Sequence, residues 1–334
     1  MRAHTWQRAT DVADAVAQVS GDPSAQYIAG GSNLIDHLKL GITEPALLVD
    51  VSRLPLERII HSDKGLRVEA NVRNADLAAD AEVREGYAAV ARALLSGASG
   101  QIRNQATTAG NLLQRTRCVY FQDVTTPCNK REPGSGCSAQ DGYGRYNAIL
   151  GASDECVAVH PSDLAVALMA LDTSVTVVGS GGEREVALDD FYRLPGDEPQ
   201  RDTTLQHGEL VTAVTVPPLP TGARSTYTKV RDRASYAFAL VSVATALVLD
   251  GDTVEDVRVA WGGVAHKPWR ARTFEERLRG QTLTAENVDA ALDAELADAS
   301  TDADTAYKVP MVRRATAMTL ARLAHDGPDQ EGPA

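Results

Sequence analysis

Aromatic residues are scarce in this sequence, 5% of 334 residues, so the core has to be packed from aliphatic side chains. Basic residues are outnumbered: 33 Lys and Arg stand against 45 Asp and Glu, a formal charge of −12. An excess of that sign repels phosphate backbones and anionic headgroups, and no basic stripe offsets it. Nucleic-acid and membrane-surface partners are therefore not expected. No apolar run approaches the roughly 20 residues that span a bilayer as a helix. The longest, around Ala165–Leu171, has the length of a core helix. The opening MRAHTWQRATDVADAVAQV has no uninterrupted apolar stretch of the kind a signal peptide carries. The expectation is a soluble, cytoplasmic chain unless a partner carries it elsewhere. No H-E-x-x-H, G-x-S-x-G or paired Cys/His motif is present, so metalloprotease and serine-hydrolase chemistry find no anchor.

What is there begins with length: enough chain for two or three domains, with 43% apolar residues to fill their cores. The first third alternates. Thr10–Val19 reads as an amphipathic helix with Thr10 as N-cap, Gln26–Ala29 as a strand, Leu34–Leu40 as a helix and Ala46–Val51 as a strand. Gly65–Ala70 reads as a further strand, with helices at Ala75–Asp80 and Ala88–Leu95. Such alternation predicts an α/β or α+β unit. Ser162–Leu171 reads as a helix, and Ser174–Val178 and Ser225–Val230 as strands. A long apolar segment, Ala237–Leu249, is joined to a strand at Thr253–Trp261 by Asp250-Gly251-Asp252, which has hairpin chemistry. From Pro268 to about His325 the pattern is mostly helical. The stretch PPLPTG at Pro217–Gly222 has linker composition and marks a domain boundary, and the tail HDGPDQEGPA reads as disordered.

Two turns could hold phosphate. Tyr27-Ile28-Ala29-Gly30-Gly31-Ser32-Asn33-Leu34 is strand, glycine pair, polar cap and helix start. Glycines let backbone come close to a ligand, and successive N–H groups at a helix start suit an anion. The turn is neither G-x-G-x-x-G nor a P-loop, and taken alone it is better explained as a plain tight turn with a capped helix. Ile102 to Leu112, IRNQATTAGNL, is a second such turn, with an ordinary polar loop as its bland reading.

Cysteine is rare, four residues in all, yet Cys118, Cys128, Cys137 and Cys156 all fall within 118–158. That segment is rich in Gly, Pro, Asn, Ser and Asp and shows little periodicity. An irregular loop of about 40 residues is unusual in a compact domain unless it is functional or disordered. Thiols placed for packing would sit on apolar strands and helices. Intervals of nine, eight and eighteen residues leave three readings open: two disulfides, an iron–sulfur cluster, and, less naturally, a zinc site, which prefers C-x₂₋₄-C pairs.

The pair GGSNL at 30–34 and IRNQATTAGNL at 102–112 resembles the FAD-binding medium subunits of molybdenum hydroxylases, the xanthine dehydrogenase, aldehyde oxidoreductase and carbon monoxide dehydrogenase group. The resemblance continues through His160-Pro161-Ser162-Asp163-Leu164, Gly208-Glu209-Leu210-Val211 with Pro217, and Tyr227-Thr228-Lys229-Val230, covering about residues 3–325. It implies an α+β chain: a vanillyl-alcohol-oxidase-type FAD-binding domain over 1–219, of two α/β subdomains at about 1–60 and 61–219, with 118–158 as an insertion. A small α+β domain of the CO dehydrogenase flavoprotein C-terminal type would follow over 220–325, with the tail at 326–334. By the family pattern Ile28, Ala29, Gly30, Gly31, Ser32, Asn33 and Leu34 would wrap the pyrophosphate of FAD. Thr107, Gly110 and Asn111 would contact phosphate and ribitol, and Val211 would join the cofactor-binding set. Asp163 would accept from FAD hydroxyls, with an N-cap role for it or Ser162 as the structural alternative, and Lys229 would stabilise negative charge on the flavin ring. Ala109 stands where the family has a glycine, which implies a slightly altered loop.

A minority of such subunits carry an insertion of this size holding a [4Fe–4S] cluster. RCVYFQ, PCNKREPGSGC and YNAILGASDECVAVHPSDLA look closest to the aldehyde oxidoreductase type. The resemblance therefore implies Cys118, Cys128, Cys137 and Cys156 as cluster ligands. Arg115, Arg117, Lys130 and Arg131 would offset cluster charge, or serve only loop solubility. Partners implied are a large molybdenum-cofactor subunit, a small subunit with two [2Fe–2S] clusters and an external electron acceptor. Relatives reach the periplasm on a twin-arginine signal borne by the small subunit, so both periplasm and cytoplasm stay open. Rival expectations are the same subunit of a xanthine dehydrogenase or 4-hydroxybenzoyl-CoA reductase, or a disulfide-stapled binding module without flavin. His37 and His61, the latter in a loop, read as surface or packing residues. Asp189-Asp190 and the acidic stretch 289–304 read as solvated surface, and Trp261, Trp269 and Gly262-Gly263-Val264 as structural.

Overall fold

The computed structural model describes residues 3–325; the tail expected at 326–334 lies outside the described residues. Three sheets follow one another along the chain. The first is parallel, with β1 (Thr5–Arg8), β2 (Ala25–Ile28) and β3 (Leu47–Asp50) in the order β1-β3-β2. Parallel neighbours need crossovers, and helices Val12–Ser20 and Leu34–Leu40 supply them. The first of these begins later than expected. Asp11, not Thr10, is its N-cap, and the Asp11 carboxylate accepts from the Asp14 N–H at 2.8 Å. Thr10 is instead a donor to Asp14, through both its N–H and its hydroxyl.

The second sheet is antiparallel, with β4 (Ile59–Ser62), β5 (Gly65–Glu69), β6 (Ser174–Gly179), β7 (Gly182–Ala187) and β8 (Leu210–Val216) in the order β4-β5-β8-β6-β7. His61 is therefore in a strand rather than a loop, and its Nε2 lies 3.1 Å from Asp80. Helices Asn74–Ala79, Ala88–Ser96 and Asp163–Ala170 pack the main core against this sheet. Residues Leu164 to Ala170 are all buried, as an all-round apolar helix requires, because β10 and β11 of the third sheet cover its other side.

That third sheet contains β9 (Arg224–Val230), β10 (Val241–Asp250), β11 (Thr253–Gly262) and β12 (Trp269–Arg270), ordered β12-β11-β10-β9. The hairpin pairs Asp250 with Thr253 across Gly251-Asp252. The apolar segment that begins at Ala237 becomes strand only at Val241. Helices Arg272–Leu278, Ala285–Glu295 and Lys308–His325 follow. Trp261 is fully buried and donates to Thr316 Oγ1 at 3.0 Å. Two acidic readings are corrected here. Asp189 is not simply solvated but lies 2.7 Å from Lys267 and 3.0 Å from Arg272. Glu295 is buried, accepting from Trp269 Nε1 at 2.8 Å and from the Phe274 N–H at 3.0 Å.

The cysteine-bearing segment is ordered with almost no regular structure, apart from the single turn of helix Val119–Gln122. It is pinned at its end to the C-terminal sheet. Ile149 and Leu150 are buried in that domain's core, and both donate their N–H to Val264 O, at 2.8 and 3.0 Å.

Candidate functional site

The two turns meet. Gly30 backs directly onto the second turn: a Cβ added there would fall 2.2 Å from the Gln105 carbonyl oxygen. In return the Gln105 amide donates to Gly30 O at 3.1 Å. Gly31 takes φ +70, a conformation glycine adopts freely. The N–H groups of Gly30, Gly31, Ser32 and Asn33 find no backbone acceptor among the described residues, which leaves a row of donors suited to an anion. Thr107 caps the next helix, its hydroxyl accepting from the Gly110 N–H at 3.2 Å.

Side chains lock both turns to the rest of the site. Asn33 does not cap its helix; its Oδ1 accepts from the Arg115 N–H at 3.0 Å, and its amide lies 3.2 Å from His37 Nε2. His37 is buried edge-on to Phe121, and burial, with Arg115 and Arg117 nearby, lowers its pKa to about 4. Asn111 Oδ1 accepts from Ser162 Oγ at 2.6 Å, and Ser162 caps Asp163–Ala170 by accepting from the Ala165 N–H at 3.0 Å. Ser162 therefore holds the cap, which leaves Asp163 free for other partners.

Between the turns lies a cavity of about 680 Å³, a size proper to a large cofactor. Ser32, Asn33, Gly110, Asn111, Asp163 and Lys229 line it. Ile28, Ala29, Gly30, Gly31, Leu34 and Thr107 do not; they shape the two turns from behind. Val211 is elsewhere. It lies on β8 between β5 and β6, pairs with Val177 and is buried in the main core. At the far wall Lys229 Nζ lies 2.7 Å from Asp163 Oδ2, and Tyr227 Oη donates to Asp163 Oδ1 at 2.5 Å. Tyr227 went unremarked as a site residue, though strand alternation places it on one face with Lys229. Tyr143, Tyr146, Tyr236 and Phe238 are exposed and line the cavity with Tyr120, so five of the chain's 16 aromatic residues gather there.

All four cysteines line a second, smaller cavity, and no disulfide joins them. Cys128 and Cys137 face each other in an isolated antiparallel bridge. Burial raises the Cys118 thiol, opposed by N–H groups of Phe121 and Tyr120 that donate to its sulfur. Burial likewise pushes Cys156 up to about 11, opposed by the Lys130 cation and the Ala158 N–H. Donors aimed at sulfur fit thiolates bound to a cluster. Among the described residues no three His, Cys, Asp or Glu side chains gather tightly enough for a single metal ion. A lone zinc would draw its ligands to about 2.3 Å from one centre, whereas a cubane spreads its four thiolates over separate irons. The two cavities share Cys118, Tyr120 and Ala158 as lining.

Arg115, Arg117, Lys130 and Arg131 are not loop solubilisers. Arg131 donates to the carbonyls of Tyr120 and Phe121 at 2.8 and 2.9 Å, and also to that of Thr126. Arg117 stacks over Phe238 at 5.1 Å. Arg115 and Lys130 converge on Asp202. Burial opposes its charge, yet Lys130 and Arg115 hold the Asp202 carboxyl well below its ordinary range. Asp202 and His266, which joins the same cluster, were missed from the sequence, where neither belongs to a motif.

The chain matches the family described as FAD binding domain in molybdopterin dehydrogenase over residues 2–219, and that described as CO dehydrogenase flavoprotein C-terminal domain over 225–324. It is 50% identical over 323 residues to the aldehyde oxidoreductase FAD-binding subunit PaoB of Escherichia coli strain K12, covering 96% of this chain and 98% of that one. Identity to the glyceraldehyde dehydrogenase medium chain of Sulfolobus acidocaldarius is 28% over 280 residues, 84% of this chain and 82% of that. Among solved structures, reconstituted CO dehydrogenase from Oligotropha carboxidovorans superposes with a TM-score of 0.77 over 97% of this chain and 99% of that chain; at 21% identity this is a likeness of fold.

Proposed function

Because this chain belongs to the FAD-binding medium subunits of the xanthine dehydrogenase and CO dehydrogenase family, oxidoreductases of the molybdenum hydroxylase type, we propose that it is the electron-transfer subunit of a heterotrimeric aldehyde oxidoreductase. In this reading it carries FAD in the large cavity and one [4Fe–4S] cluster in the thiol pocket. The observation that carries the reading is the shared wall: Cys118 belongs to both cavities, so the two redox groups would be neighbours. The unpaired N–H groups of the first turn and the helix start at Thr108 would hold the diphosphate. Asp163 and Lys229 would face the hydroxyls and the ring. Flavin and cluster supply the electron chemistry when bound; the chain's own residues orient them, keep water from the buried wall and fix the charge around them.

A large subunit with the molybdenum cofactor would oxidise the aldehyde, and a small subunit with two [2Fe–2S] clusters would relay electrons to this chain and on to an external acceptor. Support for the aldehyde is the relative at 50% identity. Export to the periplasm would depend on a twin-arginine signal on the small subunit; a small-subunit gene without one would place the complex in the cytoplasm.

The test is iron and flavin analysis of the complex purified from iron-replete cells. Wild-type protein should contain both, and Cys128→Ser should lose cluster iron while keeping most of its flavin. Wild-type protein with flavin but no iron beyond that of the [2Fe–2S] subunit would remove the cluster from the proposal.

A further inference from the structure

The Lys130 side chain is 1% exposed and the residue forms part of the wall around the four thiols. Its ammonium is locked from behind, donating to Pro199 O at 2.7 Å, to His266 Nε2 at 2.8 Å and to the Asp202 carboxylate. An ammonium has no lone pair, so His266 Nε2 must accept, which makes that ring neutral. Asp202 is shared, since Arg115 Nε also donates to it at 2.7 Å. A buried lysine and a partly exposed arginine thus share one carboxylate beside the thiol pocket. The groups come from four places in the sequence: the approach to Cys118, the stretch after Cys128, the loop before β8, and the C-terminal domain. Arg131 is turned to carbonyls, Arg117 to an aromatic ring and Arg145 to the Asp232 carboxylate, so of these Lys130 is the cation that lines the thiol pocket, and its charge acts on Cys156.

Buried ion pairs are a poor route to stability, because their desolvation often exceeds their attraction, and apolar replacements of the same volume serve as well or better. A net positive charge fixed against four thiols has a different use. Each electron taken up by a four-thiolate cluster adds negative charge to a buried cage, and net charge near the cluster is one of the factors that set its potential. We propose that Lys130 is a positioning residue for the redox poise of this pocket. Its fixed cation favours the reduced cluster, and Asp202 both anchors that cation and moderates its effect. The proposal rests on the cluster reading above.

The experiment is a reductive titration of the whole complex with dithionite, followed by electron paramagnetic resonance. The resonance absent from Cys128→Ser identifies the cluster. Lys130→Met removes the cation and should shift the cluster's midpoint potential downward. Asp202→Asn removes the carboxylate's charge at constant shape and should shift it upward. Potentials equal to wild type in both variants at full iron content, or shifts of the same sign, would overturn the proposal. If Lys130→Met loses its iron, Asp202→Asn decides alone: an upward shift supports the fixed-charge role, and no shift or a downward one defeats it. A wild-type complex lacking the cluster resonance fails at the earlier step and takes both readings with it.

Discussion

Lys229 on β9 and Asp163 at the start of helix Asp163–Ala170 meet at 2.7 Å, with side chains 3% and 10% exposed. The pair joins the C-terminal sheet to the main core at the wall of the large cavity. Lys229→Met leaves Asp163 with the Tyr227 hydroxyl and no cation. Breaking one side of a buried pair costs about 3 kcal/mol, so urea unfolding should show a loss of that order. Purified Lys229→Met should also retain less FAD than wild type. Full stability with full flavin content would show that the pair neither couples the domains nor serves the cofactor.

Gly30 marks the contact between the two turns. Alanine there would place its Cβ 2.2 Å from the Gln105 carbonyl oxygen, a backbone atom that can yield only if the second turn moves. Gly30→Ala should therefore shed flavin at least tenfold more readily, with circular dichroism near that of wild type. The measurement is the FAD dissociation constant by fluorescence. An unchanged constant would mean that the spacing of the turns does not set the cofactor's grip.

Burial lowers His160 to about 4 from an ordinary 6.5, and its ring sits edge-on to Tyr192 at 4.7 Å. A buried neutral histidine binds its proton later than the unfolded chain does. Between 6.5 and 4 the unfolded state thus holds more protons, and stability falls as pH falls through that window. The loss from His160 at pH 5 relative to pH 7 is about 2 kcal/mol. His37, lowered in the same direction, adds to it. Denaturant unfolding of wild type and His160→Gln at the two pH values checks this: the variant should show the shallower dependence.

Parts of the site were legible because they are local. A glycine pair between strand and helix, small and hydroxyl residues before Gly110-Asn111 and four cysteines in one irregular segment are all signals carried by neighbours in the chain. Ser162 as N-cap belongs with them, since its acceptor duty is met three residues on. Val211 looked like a site residue because its motif runs beside the others. What removes it from the cavity is its place in the middle of a sheet, which motif order does not encode. Asp202 has no local signature; its charge is satisfied by Arg115 and Lys130, 87 and 72 residues away.

The sequence by itself determined many of the elements, the two glycine-bearing turns and the gathering of the thiols into one segment, because propensity, capping and composition act over a few residues. Only the tertiary structure decided that both turns back onto each other, that Cys118 stands in the wall of both cavities, and that one carboxylate, Asp202, holds two cations beside the thiols. Those relations depend on Coulomb attraction and steric contact between groups far apart in the chain, and such forces act only once packing has brought the groups together.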